Sequence, residues 1–213
     1  MYFEYGEKET DYLKSRDKKL GEAIDRIGHI YRKADPDLFS SVIHHIIGQQ
    51  ISTAAQETIW KRLTHKVGIV NADTLLSMSR EDLQSIGTTF KKVDYMRDFA
   101  EKVKTGTFDM DALKSMTDEE VIRQLSSLKG LGQWTAEMIM TFSMQRPDIV
   151  SYGDLAIHRG MRMLYRHRKI DAVTFRRYRK RYSPYGSVAS FYLWAIAGGA
   201  IPGLTDPAPK RKS

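Results

Sequence analysis

Two stretches carry the residue types that chemistry needs. "LKGLGQWTAEMIM", residues 128–140, sets Gly130 and Gly132 ahead of an apolar run containing Trp134, and "SYGDLAIHR" sets one acid, Asp154, 22 residues beyond Gly132. Glycine permits positive φ and close approach of a second backbone. The first amides of a following helix have no internal partner, so such a turn attracts a phosphate. For the glycine pair alone, a plain helix-to-helix turn with glycine as C-cap is the more ordinary reading. Asp154, ahead of "LAIHRGMRMLY", fits a helix N-cap, where the helix dipole favours a charged carboxylate. A carboxylate there can stabilise developing positive charge or activate water.

The remaining composition narrows the chemistry. Cysteine is absent, which removes disulfides, thiolate zinc sites, a cysteine nucleophile and a cysteine-held iron–sulfur cluster. The six histidines show no metal-binding spacing; His44 and His45 read as helix surface and pocket edge. Thirty-four Lys+Arg against 26 Asp+Glu leave a net charge of +8, which favours a polyanionic partner. The densest charge is residues 158–182, with ten Lys/Arg and one acid, Asp171. Either a phosphate-contacting surface or a solvated face fits that run. The N-terminus lacks the basic start and apolar core of a secretory signal, and the longest apolar run, "VASFYLWAIA", is too short to span a bilayer. An intracellular protein without a membrane segment is expected.

Helices must position these residues. Apolar side chains recur at spacings of three and four, as in Leu38, Val42, Ile46 and Ile47 or Val93, Met96, Phe99, Ala100 and Val103, and no alternating runs bounded by hairpin turns accompany them. The fold class is all-α, with about ten helices. "ADPDLF" predicts a helix start near Asp35 to Asp37 with Pro36 in the first turn. Thr117 and Glu120 form a capping-box pattern. "SPYGSVASFYLWAIAGG" predicts Ser183 as N-cap, Pro184 at the first helical position, and Gly198 with Gly199 as the stop. With no long linker, the expectation is one domain over residues 1–213. One lobe would span approximately 45–140, the second approximately 1–44 plus 141–200, and residues 201–213 would form a tail.

Taken whole, Leu-x-Gly-Leu-Gly-x-Trp-Thr-Ala resembles the helix-hairpin-helix of the HhH-GPD DNA glycosylase superfamily, in particular its 3-methyladenine glycosylase II-like (alkylpurine) branch. "IIGQQIST" at 46–53, "SYGDLAIHR" and "SPYGSVASFYLWA" resemble further segments of that family in the same order, so the likeness covers roughly residues 40 to 198. It implies two interleaved helical lobes with a helix-hairpin-helix DNA-binding motif and an active site in the cleft between them. Fewer than fifty residues precede "GQQIS", so a compact form without the N-terminal β lobe of larger relatives is expected.

The resemblance also assigns roles. Asp154 becomes the catalytic carboxylate, stabilising an oxocarbenium-like sugar and directing water. Trp134 stands where strand-cutting relatives carry a nucleophilic lysine, which implies a monofunctional hydrolase. Trp134, Tyr152, Tyr185 and His45 would line a base pocket whose aromatic faces suit a cationic alkylated purine. Gln50, beside Gln49, would be the wedge that fills the gap left by a flipped base. Lys129, Gly130, Gly132 and Thr135 would contact DNA. The main-chain carbonyls of Ser126, Leu128 and Leu131 would hold Na+ or K+, with no required cofactor and no iron–sulfur cluster. The implied activity is base excision repair: a monomer releasing 3-methyladenine or 7-methylguanine from double-stranded DNA and leaving an abasic site. Lys129 stands where the family has proline. The alternatives are a glycosylase/lyase for deaminated or oxidised bases working through Lys129, and a non-catalytic hairpin protein that binds DNA.

Overall fold

The structure is a computed structural model and describes residues 1–208. Among these residues there are twelve α-helices, one short 3-10 helix and no strand; Tyr2 and Lys33 form an isolated antiparallel bridge. The all-α reading holds. No described helix is long and apolar enough to cross a membrane. The chain divides into two compact units, Met1–Ala34 with the segment from Gln145 onward, and Asp35–Met144. The expected lobe boundaries lay near 44 and 140; the division falls ahead of α3 (Leu38–Gly48) because that helix packs on α4 (Thr53–Val67), α7 (Phe90–Lys104) and α9 (Gln133–Phe142).

The first unit holds α1 (Glu7–Arg16), α2 (Lys18–Ile27), α10 (Leu155–Tyr165), α11 (Ala172–Tyr182) and α12 (Gly186–Ala197). Helices α10 and α12 touch backbone to backbone: a Cβ built on Gly160 would run into the main chain of Leu193. The far end of α10 is tied by a buried polar cluster. Asp17, only 3% exposed, caps α2 by accepting from Leu20 N at 3.0 Å and also accepts from Tyr165 Oη at 3.0 Å and Arg181 at 2.9 Å. Tyr165 stacks on Tyr178 at 3.8 Å and shares a 2.8 Å hydrogen bond with Tyr182. Burial pushes both the Tyr165 and Tyr182 hydroxyls well above the usual tyrosine range, so they serve as neutral donors.

The second unit holds α3 and α4, the short helices α5 (Ala72–Ser77) and α6 (Arg80–Gln84), α7, the 3-10 helix Ala112–Ser115, α8 (Asp118–Ser126) and α9. Its core is drawn from the faces the periodicity marked: Val42, Ile46 and Ile47 of α3 are fully buried, as are Val93, Met96 and Ala100 of α7. The capping box at Thr117 and Glu120 is present.

Two predicted helix starts differ in detail. The start near Asp35 to Asp37 is observed with Asp37 as the N-cap of α3, its side chain accepting from Ser40 N at 3.0 Å, so Pro36 lies ahead of the helix and not in its first turn. Ser183 ends α11, and Tyr185 takes the N-cap position of α12. There the carboxylate of Asp148 accepts from Gly186 N at 3.1 Å and from Ser183 Oγ at 2.6 Å, so an acid distant in sequence does the work expected of Ser183. The stop at Gly198 and Gly199 is observed, Gly199 at φ +90°. Part of the predicted tail is anchored: Arg162 of α10 holds Asp206 bidentately at 2.9 and 2.5 Å. Residues 209–213 lie outside the described residues.

A methyl group at Gly160 should force α10 away from α12. Gly160→Ala is expected to cost about 1–3 kcal/mol, the range for overpacking, read as a fall in melting temperature of roughly 3–10 °C by circular dichroism.

Candidate functional site

The hairpin between α8 and α9 uses its two glycines differently. Gly130 has φ +85°, and a Cβ there would strike the ring of Tyr95. Gly132 has an ordinary extended backbone, and nothing lies within 4 Å of where its Cβ would be. Packing inside the unit therefore explains glycine at 130, whereas at 132 the missing side chain leaves open space beside the start of α9. Its N-cap, Gly132, has no side chain to cap that helix, and the start of a helix is where an acceptor from outside is favoured.

Lys129 is engaged at home. Its ammonium lies 2.6 Å from Asp98, which also pairs with Lys102 at 2.8 Å. Burial opposes charge on Asp98, but hydrogen bonds from Lys102 and Lys129 hold its pKa below the usual carboxylate value. The same hydrogen bond raises the pKa of Lys129.

The turn after α3 is held from two sides. Lys92 donates to the carbonyls of Ile47 at 2.8 Å and Gln49 at 2.7 Å, capping the helix end, and burial lowers its pKa. Gln49 donates through Nε2 to the Gly130 carbonyl at 2.5 Å. Between these anchors Gln50 adopts φ +57° and is exposed. Left-handed backbone costs a non-glycine residue of order 1 kcal/mol, and the clamped turn holds it there.

Beside this turn lies a cavity of about 680 Å³ lined by His44, His45, Gln50, Gln56, Trp134 and Thr135. Thus His45, Gln50, Gly130, Trp134 and Thr135, five of the predicted residues, line one cavity. The indole of Trp134 is 47% exposed. Burial lowers the pKa of His44, and burial followed by repulsion from His44 takes that of His45 down to about 4. Both imidazoles are neutral near pH 7, so the cavity wall is polar without being cationic. The amide of Gln56 donates to the ring of His44 at 3.2 Å and to its carbonyl at 2.9 Å.

The other predicted residues belong to the first unit. Asp154 is the N-cap of α10, 7% exposed, and its Oδ1 accepts from Ile157 N at 2.8 Å and from the indole Nε1 of Trp194 at 3.2 Å. Trp194 escaped the sequence reading. Its signal was a lone N–H-bearing aromatic in the otherwise apolar "FYLWAIA", whose donor must find an acceptor when buried. Tyr152 is 47% exposed and packs on His158 and Phe175, each at 5.0 Å. His158 donates to the Tyr152 carbonyl at 2.7 Å, staying the turn that leads into Asp154. Tyr185 packs instead against Tyr12 of α1, at 5.2 Å.

The basic run serves two purposes. Arg162 pairs with Asp206, Arg179 with Asp148 and Arg181 with Asp17. Arg177 and Arg181 also lie over the ring of Tyr178. Much of a patch that looks like one cationic surface in the sequence is therefore internal bracing.

As for metals, no group of three His, Cys, Asp or Glu among the described residues is arranged to hold an ion. The main-chain oxygens named for a monovalent cation sit at the hairpin, and beside them the buried hydroxyl of Ser126 has no hydrogen-bond partner. Oxygen-only donors suit a hard cation.

A family profile described as HhH-GPD superfamily base excision DNA repair protein matches residues 43–184. DNA-3-methyladenine glycosylase 1 of Schizosaccharomyces pombe is 27% identical over 82% of this chain and 78% of its own length. Among solved structures, a DNA-3-methyladenine glycosidase from Bacillus halodurans superposes with a TM-score of 0.84 at 33% identity, covering 93% of each chain. The S. pombe 3-methyladenine DNA glycosylase in complex with abasic DNA gives a TM-score of 0.74 at 25% identity, over 88% of this chain and 95% of that one.

Because His45 is held neutral by folding, it imposes a pH dependence on stability. Its folded pKa of about 4 lies below the ordinary histidine value of 6.5, so between these values the unfolded chain binds the extra proton. Stability from this group is complete above about pH 6.5 and declines as pH falls towards 4, by up to roughly 3 kcal/mol. Melting curves of His45→Asn should fall less steeply with acid over that window than those of the unmodified chain.

Proposed function

As the chain belongs to the HhH-GPD superfamily of base excision DNA repair proteins, we propose that it is a monofunctional DNA glycosylase that hydrolyses the N-glycosidic bond of alkylated purines, 3-methyladenine and 7-methylguanine foremost, in double-stranded DNA. The observation that carries this reading is a pair of features: a buried aspartate held by two N–H donors, and tryptophan where a lysine nucleophile would stand. The names of the relatives support the same substrate class.

In this reading the extruded base enters the cavity beside Trp134, whose exposed π face gains from a positively charged ring. Neutral His44 and His45 leave that charge unopposed. Asp154 stabilises the positive charge that builds on the deoxyribose as the bond to the base nitrogen lengthens. The electron pair of that bond leaves with the base and cancels its alkylation charge. Water adds to the sugar carbon and gives up its proton to Asp154. The donors from Ile157 and Trp194 fix where Oδ1 sits, so the carboxylate needs no reorganisation as charge develops. Gln50, already held in a strained turn, fills the space vacated by the base. The hairpin amides and open Gly132 take a phosphate. The carbonyls of Ser126, Leu128 and Leu131 would hold a monovalent ion there, which would add positive charge beside the DNA backbone. We further propose that the protein acts as a monomer, inside the cell with DNA.

A lyase route through Lys129 has little to recommend it. A nucleophilic amine must be neutral, and the pairing with Asp98 raises the pKa of this lysine. Borohydride should trap no covalent complex with abasic DNA. In a binding protein without catalysis Asp154 would serve only as the N-cap of α10, and its replacement by Asn would change no base release.

Base release from methylated duplex DNA should be lost by about 10²–10³-fold in Asp154→Asn, and Trp194→Phe should lose about fivefold to tenfold, the worth of one hydrogen bond to a charged group. Chromatography of released bases measures both. Equal release by the unmodified chain and Asp154→Asn would overturn the mechanism.

A further inference from the structure

The cavity beside Trp134 contains one hydrogen-bonding group whose orientation the chain dictates completely. The Nε2 of Gln56 lies 2.9 Å from the main-chain carbonyl of His44. A carbonyl only accepts, so that amide atom is the NH2 and the opposite atom is the oxygen. The second N–H of the same group points at His44 Nδ1, 3.2 Å away. Nδ1 must accept, and the proton of the neutral ring therefore sits on Nε2. The ring is in turn set edge-on against Trp60, 4.9 Å away at 84°. Both donors of Gln56 are consumed in holding it.

Gly48 completes the arrangement. Its backbone is helical and not left-handed, so conformation does not require glycine there. A Cβ at position 48 would instead collide with the amide group of Gln56. The side chain lies flat on the glycine, and Gly48 and Gln56 both line the cavity. Among the described residues nothing donates to Gln56 Oε1, and none of the residues lining this cavity is acidic. Gln49 and Gln50 also bring amide oxygens to this cavity, but a single hydrogen bond to Gly130 orients the first, and the second is assigned above to the gap left by the base.

We propose that Gln56 is a specificity-determining residue: its Oε1 is a fixed acceptor for an exocyclic amino group of the purine in the cavity, with His44 as the positioning residue and Gly48 supplying the space. This rests on the glycosylase reading above and deepens it, because it states which damaged purines bind best: those that retain an amino group on the ring. A neutral amide oxygen suits this task. It accepts from an amino group without adding a fixed negative charge that would bind every cationic base alike.

The test compares matched pairs of lesions differing only by that amino group. Duplexes carrying 7-methylguanine or 7-methylhypoxanthine form one pair, and 7-methyladenine or 7-methylpurine the other. The unmodified chain should release the amino-bearing base with kcat/KM about fivefold to tenfold higher in at least one pair. In Gln56→Met the two rates of that pair should come within about twofold, whatever the change in their absolute size. Gly48→Ala, which keeps the glutamine but displaces its amide, should lose the same discrimination, and thermal melts establish that each variant is folded. Equal rates within both pairs for the unmodified chain would overturn the assignment. So would discrimination that survives Gln56→Met, or that disappears in Gln49→Met instead. Release of no base from any of the four duplexes by the unmodified chain would overturn the glycosylase reading itself, a result distinct from loss of discrimination.

Discussion

The placement of Asp154 depends on the absence of a side chain at Gly160. There α10 lies directly on the main chain of α12 at Leu193, and the next residue, Trp194, donates to Asp154. One close contact thus sets the register of both partners in that hydrogen bond. Asp154 stands six residues before Gly160, about 9 Å along a helix, so a displacement at the glycine reaches the carboxylate almost undiminished. The opposite end of α10 is pinned just as firmly, with Tyr165 donating to the buried Asp17 and sharing a hydrogen bond with Tyr182. A helix fixed at both ends turns an N-cap, commonly a device of local stability, into a carboxylate with defined coordinates.

What was legible in the sequence was local. The period of three to four marked the buried faces of α3 and α7, the Thr117 capping box closed as its spacing required, and the glycine stop after α12 appeared where two glycines follow an apolar run. These signals need only residues within one or two turns of each other. Failures occurred where a distant group replaced the local one. Ser183 looked like an N-cap, but Asp148, 35 residues away, satisfies the start of α12. For the site, Asp154 and Trp134 stood out because the motifs around them resemble those of a known family, while Trp194 and Gln56 did not. Their roles follow from hydrogen bonds across 40 and 12 residues, which spacing does not encode.

Charge was the least transparent property. The net +8 suggests a cationic surface, yet Arg162, Arg179 and Arg181 are bound to the chain's own carboxylates, and Lys129 is held by Asp98. These pairs brace helix ends and the described part of the C-terminal segment. Among the described residues they leave Arg166, Arg168, Lys169, Arg176, Arg177 and Lys180 of that run as the residues whose charge is not committed to a carboxylate. A sequence count therefore overstates the field presented to a polyanion, because it cannot tell a cation with an internal partner from one without.

The hairpin makes the same distinction between internal and external demand for its glycines. Gly130 is required by its own fold, through positive φ and the ring of Tyr95, and would be glycine in a protein that bound nothing. Gly132 meets no such demand: its backbone is extended and its surroundings are open. In the proposed reading the reason for glycine there lies outside the chain, in a phosphate that approaches the first turn of α9. Lys129, between α8 and these glycines, is drawn towards Asp98 and kept protonated. In the proposed reading, with tryptophan at 134 and that lysine charged, the hairpin would offer a surface and a phosphate site but no nucleophile. Bond cleavage would then fall to water, directed by the aspartate that Gly160 and Trp194 hold in place.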